Sequence, residues 1–119
     1  MSGTSELEVT QADTAIALGS GDVPVLATPR VIALCEAAAM DAVNGSVKPG
    51  QTTVAFRVQL DHVRPTSIGQ SIRAEAHLDK IEGQRLIFGV SAKDDRGLVA
   101  AGKVTRVVVD VDRFLEKSK

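Results

Sequence analysis

Three polar residues, Thr28, Glu36 and His62, lie in apolar stretches and are of types that take part in acyl transfer. His62 follows Val58 and Leu60 at alternate positions, which places it on the apolar face of a predicted strand. Glu36 is the one charged residue in the middle of an Ala-rich helical run, and Thr28 stands at the start of that run. These three side chains are therefore the candidate catalytic residues.

Each of the three residues also has a purely structural explanation, and the sequence pattern does not decide between the two. A histidine at the edge of a core usually satisfies its hydrogen bonds without catalysing anything. A carboxylate in an apolar stripe must be paired, hydrogen-bonded or neutral, so a structural Glu36 would form a buried ion pair or cap a loop. Thr28 precedes Pro29 and suits the N-cap of a helix. The other histidine, His77, lies on the polar face of its strand, where we expect it to be solvated.

The spacing of the three residues limits how they can meet. The helix should cover the sheet face that carries His62, so Glu36 and His62 are expected to face each other as an acid–base or structural pair. Thr28 and Glu36, however, are separated by about 12 Å along a regular helix. Either the first turn is irregular, or the site takes Thr28 from one subunit and Glu36 from its partner, which we favour. Backbone N–H groups at the helix start would stabilise a developing oxyanion, and covalent and direct-water routes both remain open.

One helix and a set of strands must position these residues. The run Arg30–Val43 predicts a helix that is apolar on nearly all sides, with Asn44-Gly45 ending it. A short strand is expected near Leu7–Val9, whereas Thr14–Leu18 fits either a helical turn or a strand. The charged tail Asp110–Lys119 is expected to fray.

Four strands are predicted after the helix, joined by short turns that favour antiparallel neighbours. Their apolar faces are expected to be Val54, Phe56, Val58 and Leu60, then Ile72, Ala74, Ala76 and Leu78, then Leu86, Phe88, Val90 and Ala92, followed by a last strand over Leu98–Val109. One apolar helix laid across one face of an antiparallel sheet is a two-layer α+β domain. A helix wrapped by such a curved sheet of about five strands is the hotdog arrangement.

Composition narrows the class of protein. The chain of 119 residues is short enough for a single domain over 1–119, and a small domain gains from forming a homodimer or a higher oligomer. A net charge of −1 and the absence of Trp and Tyr argue against a nucleic-acid partner. The single cysteine, Cys35, makes no intrachain disulfide and no zinc site, and no stretch is long enough for a membrane span. We therefore expect a cytoplasmic protein without a metal or other cofactor.

Several motifs, taken in order, resemble the fluoroacetyl-CoA thioesterase-like branch of the hotdog thioesterases. The resemblance runs from about Val23 to Phe114, and each motif alone is weak. The motifs are Val25-Leu26-Ala27-Thr28-Pro29, Leu34-Cys35-Glu36-Ala37-Ala38, Asp61-His62-Val63-Arg64-Pro65-Thr66-Ser67-Ile68-Gly69, Glu82-Gly83-Gln84-Arg85-Leu86-Ile87-Phe88 and Val90-Ser91-Ala92-Lys93-Asp94. The resemblance implies an acyl-CoA thioesterase in which Thr28, Glu36 and His62 act together.

The resemblance also implies substrate contacts and shows departures from the family pattern. A substrate-binding Gly of the family is matched by Ala55, and a substrate-binding Arg by Arg106. The His that often stands two residues before that Arg is Val104 here. The phenylalanine-bearing lid of the fluoroacetate-specific member has no counterpart around Val23-Pro24-Val25, so a short or medium acyl-CoA is the expected substrate.

Three rival functions make different predictions. A non-catalytic acyl-CoA-binding protein of the same fold would bind without releasing thiol. A dehydratase or hydratase would carry out double-bond chemistry and release no free CoA. In a purely structural dimer, replacing Glu36 by Ala would stabilise the fold and alter no turnover.

Overall fold

The computed structural model describes residues 1–119 as five strands and three helices, with one turn of 3-10 helix at Gln11–Asp13. The strands are β1 (Ser2–Glu8), β2 (Gln51–His62), β3 (Ser71–Glu82), β4 (Arg85–Asp94) and β5 (Gly97–Asp110), and the helices are α1 (Ala15–Leu18), α2 (Thr28–Val43) and α3 (Val111–Lys117). All strand pairs are antiparallel, in the order β1-β3-β4-β5-β2. The sheet curls around α2, which confirms the predicted α+β hotdog architecture.

The central helix buries the face that packs against β1 and β3. Its buried residues are Val31, Leu34, Cys35, Ala38, Ala39, Ala42 and Val43. The helix ends as predicted, with Asn44 as the C-cap and Gly45 in the left-handed region at φ 79°. Its start differs from the prediction, because Ala27 is the N-cap residue and Thr28 is already helical. Thr28 gives no capping hydrogen bond, since its hydroxyl faces β2 instead.

Strand β2 does not keep one apolar face along its whole length. A β-bulge interrupts its register with β5 between Ala55 and Arg57, and the extra residue reverses the side on which later residues point. Val58 and Leu60 pack against the core as predicted, but Phe56 is half exposed. Before the bulge, Thr53 is the buried residue instead of Val54. The bulge is invisible to a strict alternation rule, so the prediction for the first half of β2 is wrong.

The faces predicted for β3 and β4 are confirmed. Ile72, Ala74 and Ala76 of β3 are buried, as are the four predicted residues of β4, and Leu78 packs against the same core. The β3–β4 hairpin turns at Gly83, which has φ 61°. These alternating apolar residues form the inner face of the sheet, against which α2 packs.

Three other segments, near the two ends of the chain, differ from the predicted secondary structure or resolve an alternative that the sequence left open. Strand β1 starts five residues before the predicted Leu7–Val9, because its inner positions Gly3 and Ser5 are too small to show an apolar pattern. The ambiguous Thr14–Leu18 segment is helical over Ala15–Leu18, with Thr14 accepting the capping bond from Ala17. The tail expected to fray forms α3, because the Asp110 carboxylate accepts a hydrogen bond from the Arg113 backbone and caps it.

Candidate active site

Thr28 and His62 lie together where the start of α2 meets the end of β2. The Oγ1 atom of Thr28 is 2.7 Å from Nδ1 of His62, so the hydroxyl and the imidazole are hydrogen-bonded. Because the hydroxyl is not used as a cap, its hydrogen-bonding capacity goes to the histidine. The contact has the geometry needed to move a proton between a hydroxyl and a base.

The ring of His62 is partly buried. Burial lowers its pKa from the usual value, and the nearby backbone of Arg64 opposes this change in part. The Nε2 atom is buried and has no hydrogen-bond partner. A neutral imidazole at neutral pH is the form that can accept a proton.

A cavity of about 330 Å³ opens beside this pair. Its lining is mixed, with apolar side chains next to the polar ones; the residues are Ala15, Ser20, Gly21, Val23, Val25, Leu26, Thr28, His62, Val63, Arg64 and Pro65. The volume is at the small end of the range for ligand pockets. The cavity therefore suits a compact group with an apolar body.

Glu36 lies elsewhere, in a second cluster at the other end of β2. Nη1 of Arg106 is 3.6 Å from the Glu36 carboxylate. The guanidinium also donates to Thr53, through Nε to Oγ1 at 2.9 Å and through Nη2 to the carbonyl oxygen at 2.8 Å. Burial lowers the pKa of Arg106, and the charge of Glu36 works against that. Ala55 stands directly opposite Arg106 in the β2–β5 register.

The predicted site residues thus form two separate groups within one chain. Thr28 and His62 are in contact, whereas Glu36, Arg106 and Ala55 cluster around the β2 bulge. Since α2 is regular from Thr28 onward, its residues eight apart remain about 12 Å from each other along the axis. The prediction that Glu36 faces His62 is wrong for a single chain, because Arg106 takes the carboxylate. His77, by contrast, is solvated as predicted and pairs with Asp79.

The start of α2 offers fewer free donors than predicted. The backbone N–H groups of Arg30 and Val31 both donate to the Ala27 carbonyl, and Pro29 has no N–H. Only the N–H of Thr28 is left without a backbone partner in this first turn. One backbone donor and the helix dipole, instead of several donors, are available to an oxyanion here.

The sequence analysis missed the role of Arg64, which lines the cavity two residues after His62. Its Nη2 atom forms an ion pair with the Asp94 carboxylate and donates to the Gly97 carbonyl at 3.0 Å. The other Asp94 oxygen accepts from Thr66 at 2.9 Å. Burial raises the pKa of Asp94, but these bonds outweigh it and keep the pKa below the usual value. The signal was available, because Arg64 continues the i, i+2 series that places His62.

The side chains and the helices were searched for a metal-binding cluster and for a membrane-spanning helix, and neither was found. No group of three or more His, Cys, Asp or Glu side chains is arranged to hold a metal ion. None of the helices combines the length and the apolarity needed to cross a membrane.

Comparison with known proteins identifies the family. The model of the fluoroacetyl-CoA-specific thioesterase family, FlK, matches residues 9–112. The fluoroacetyl-CoA thioesterase of Streptantibioticus cattleyicolor is 29% identical over 93 residues, which cover 78% of this chain and 67% of that protein. The solved structure of FlK superposes with a TM-score of 0.93 at 25% identity, covering 99% of this chain and 92% of that one.

Another solved structure, a hot-dog-like protein from Thermanaerovibrio acidaminovorans, matches in fold with a TM-score of 0.91 at 22% identity, covering 99% of this chain and 87% of that one. The fold and the family match thus define the chain as a hotdog-fold thioester hydrolase acting on acyl-CoA. Within that class, the chain belongs to the fluoroacetyl-CoA-specific thioesterase (FlK) family.

Proposed function

We propose that this protein is a cytoplasmic homodimer that hydrolyses a short or medium acyl-CoA to the free acid and CoA, with Thr28, His62 and Glu36 as its catalytic residues. The observation that carries the proposal is the 2.7 Å contact between the Thr28 hydroxyl and Nδ1 of His62, beside a small, partly apolar cavity. A FlK mutant has been solved in complex with fluoroacetate and CoA, at a TM-score of 0.89 and 25% identity. That relative supports a CoA thioester as the substrate here.

The chemistry follows from the state of the two side chains. The neutral imidazole accepts a proton at Nδ1, either from the Thr28 hydroxyl as it attacks the thioester carbonyl or from a water that the hydroxyl holds. The carbonyl becomes an oxyanion, which the Thr28 N–H and the start of α2 stabilise. When the C–S bond breaks, the thiolate of CoA takes the proton from His62. In the covalent route a water then cleaves the acyl-threonine ester and yields the free acid.

Glu36 joins the site through the partner subunit in this proposal. Strand β2 is at an edge of the sheet and has no strand on its outer side. If two copies pair along β2 in antiparallel fashion, the bulge end of one strand lies beside the His62 end of the other. The partner's Glu36 then approaches Thr28 and His62. The two separated clusters within one chain would thus combine into two complete sites per dimer.

Ala55 and Arg106 are proposed substrate-binding residues in this arrangement. Ala55 is an exposed residue next to the bulge, where a thioester could approach it closely. Arg106 is largely buried and tied to Thr53, so its part is to hold Glu36 in place and to line the substrate path. The charge of Glu36 is paired with that of Arg106, whose Nη1 lies 3.6 Å from the carboxylate.

A free-thiol assay against a panel of acyl-CoAs tests the hydrolase. The wild type should release thiol, and His62→Gln should lower kcat by about 100-fold or more, the usual effect of losing a general base. His77→Gln is the matched control, since that histidine is solvated on the other face. Saturable acyl-CoA binding with no thiol release would instead establish the non-catalytic binder.

Mixed dimers test whether the site is shared. Chains carrying Thr28→Val and chains carrying Glu36→Gln are inactive in the proposed scheme when each is alone. A mixture that exchanges subunits should regain up to about half of the wild-type sites in the mixed dimers, because one site then holds both native residues. A mixture as inactive as its parents, after exchange has been verified by mass, would contradict a shared site.

A further inference from the structure

Thr53 is a polar residue of β2 that is almost completely buried, with 4% of its surface exposed. Its hydroxyl accepts a hydrogen bond from Nε of Arg106 at 2.9 Å and donates one to Sδ of Met40 at 3.3 Å. Its carbonyl oxygen accepts a second bond from Arg106, from Nη2 at 2.8 Å. A hydroxyl has one proton to donate, so this pattern fixes its orientation. Thr53 therefore links β2 to β5 on one side and to α2 on the other.

The guanidinium of Arg106 is fixed by these bonds. Arg106 is 6% exposed, and Thr53 is the acceptor of both hydrogen bonds that its side chain makes. A guanidinium is a rigid planar fork, so fixing Nε and Nη2 also fixes the direction of Nη1. The Nη1 atom lies 3.6 Å from the Glu36 carboxylate. The position of the positive charge beside Glu36 is thus set by Thr53.

Glu36 depends on this charge for its orientation. Its side chain is 33% exposed, and Arg106 is its one ion-pair partner within the chain. A glutamate side chain has several staggered rotamers, and an exposed one samples them unless a partner selects one. Met40 lies four residues after Glu36, so the two side chains share one face of α2. Thr53 thus contacts the helix one turn beyond Glu36 and also holds the guanidinium next to it.

We propose that Thr53 is a positioning residue for the hydrolysis, which holds Arg106 so that the Glu36 carboxylate stays directed toward the site it completes. This inference rests on the proposed function, in which Glu36 joins Thr28 and His62 across the dimer. Thr53 contacts neither the substrate nor the reacting atoms in that scheme, and it acts through Arg106. Its hydroxyl is therefore needed for turnover although it does not line the cavity.

Replacing the hydroxyl tests the first step of this inference. Thr53→Val keeps the shape of the side chain and leaves Nε of Arg106 without its acceptor, whereas Thr53→Ser keeps the acceptor. Thiol release should fall by about 10- to 100-fold in kcat for Thr53→Val, the scale for a misplaced catalytic group, and Thr53→Ser should retain most of it. Thr52→Val is the matched control, because Thr52 precedes Thr53 in β2 and points to the opposite face of the sheet.

A second variant separates this role from stability, because an unpaired donor at Arg106 also weakens the fold. The double variant Thr53→Val with Arg106→Met removes the donor and the acceptor together. If Thr53 acts through Arg106, the kcat of the double variant should equal that of Arg106→Met alone, whereas two independent effects would multiply. A multiplied loss contradicts the inference.

Mixed dimers distinguish positioning of Glu36 from general support of the fold. In a dimer of a Thr28→Val chain and a Glu36→Gln chain, the one complete site takes Glu36 from the Thr28→Val chain. Adding Thr53→Val to that chain should lower the regained activity about 10-fold more than adding it to the Glu36→Gln chain, by the same misplacement. Equal losses in the two arrangements would overturn the inference, since a structural role does not depend on which chain supplies Glu36.

NMR of the Glu36 carboxylate gives a readout that needs no activity. With isotope-labelled glutamate, the Glu36 signal is assigned by its absence in Glu36→Gln. The signal should shift in Thr53→Val and stay in place in Thr53→Ser and in Thr52→Val, because only the first variant releases Arg106. An unshifted signal in Thr53→Val contradicts the inference. If the wild type releases no thiol, or the mixed dimers regain no activity, the proposed function or the shared site fails instead, and this signal alone decides on Thr53.

Discussion

The hydroxyl of Thr28 is available for chemistry because the helix does not use it. Ala27 occupies the N-cap position, so Thr28 begins α2 with its side chain directed at His62. An N-cap threonine would stabilise the helix by about 1 kcal/mol, whereas an exposed residue in the first turn contributes little. Catalytic and structural roles for Thr28 therefore predict opposite outcomes.

Thr28→Val should abolish most activity and leave the fold intact. Valine has the shape of threonine without the hydroxyl, so kcat should fall by about 100-fold or more. The free energy of unfolding should change by no more than about 0.5 kcal/mol, measured by urea denaturation beside the kinetics. A loss of about 1 kcal/mol with normal turnover would show instead that the hydroxyl supports the helix.

The partly buried imidazole of His62 predicts where activity is lost on the acid side of the pH profile. Only neutral imidazole accepts a proton, so activity is lost as the pH falls through the pKa of His62. Burial lowers this pKa from the ordinary 6.5, and the midpoint of the acid limb of kcat/KM should lie below that value. Stopped assays from pH 4.5 to 9, roughly the range that brackets a histidine, measure it. A midpoint above 6.5 would contradict a buried neutral base.

Acid unfolding is expected at a lower pH than the loss of activity, so the two can be told apart. Asp13 and Asp94 both have pKa values below the ordinary 3.8, so their stabilising contribution is present above this pH. It is lost only as the pH falls through the lowered values, well below the range where His62 titrates. Circular dichroism at each assay pH separates the two events.

At the residue scale, the sequence indicated the candidates but not their partners. The i, i+2 series that ends in His62 showed which way the imidazole points, because strand alternation is set by the backbone. It could not show that Arg106 takes Glu36, since those residues are 70 positions apart in sequence (106 − 36) and meet only through packing. The same series placed Arg64 on the side of His62, but it could not show that Asp94, at the end of β4, pairs with it.

At the scale of elements, the close approach of β1 to α2 depends on a glycine. A Cβ atom at Gly3 would lie 2.3 Å from the carbonyl oxygen of Ala38 and 2.3 Å from the backbone nitrogen of Ala42. Both are backbone atoms, so neither can move aside as a flexible side chain would. The strand must therefore cross the helix at a position without a side chain.

Gly3→Ala should destabilise the protein by about 1–3 kcal/mol, the usual cost of overpacking a tight contact. Urea denaturation measures the change, and Ser2→Ala on the same strand is the control because Ser2 is exposed. An unchanged midpoint for Gly3→Ala would mean that β1 does not pack closely on α2 in solution.

Regular elements were predictable from the sequence, and irregular ones were not. The helix over Arg30–Val43 and the faces of β3 and β4 follow from residue periodicity, which needs only local information. The bulge at Phe56 is a feature of the pairing between β2 and β5, which are far apart in sequence, so no local pattern shows it. The reversed face of β2 follows from the bulge, whereas the division of the site follows from α2, which holds Thr28 and Glu36 eight residues apart.

At the scale of the whole molecule, one chain holds the parts of the site at opposite ends of β2. Thr28 and His62 mark one end, and Glu36 with Arg106 marks the other. The outer edge of β2 has unpaired backbone groups over 12 residues, which makes it a natural surface for a second copy. In the proposed dimer, a site completed by that pairing would tie activity to assembly.

Specific activity per chain should consequently fall on dilution. Once the concentration drops below the dissociation constant of the dimer, monomers lack the partner's Glu36 and turn over slowly. Light scattering should give about twice the 12.5 kDa chain mass at high concentration, and the loss of activity should track the loss of that species. Activity that stays constant per chain while the mass falls to the monomer value would place the complete site in one chain. Covalent linkage of two copies through a flexible linker is the control, since it should keep activity constant over the same dilution.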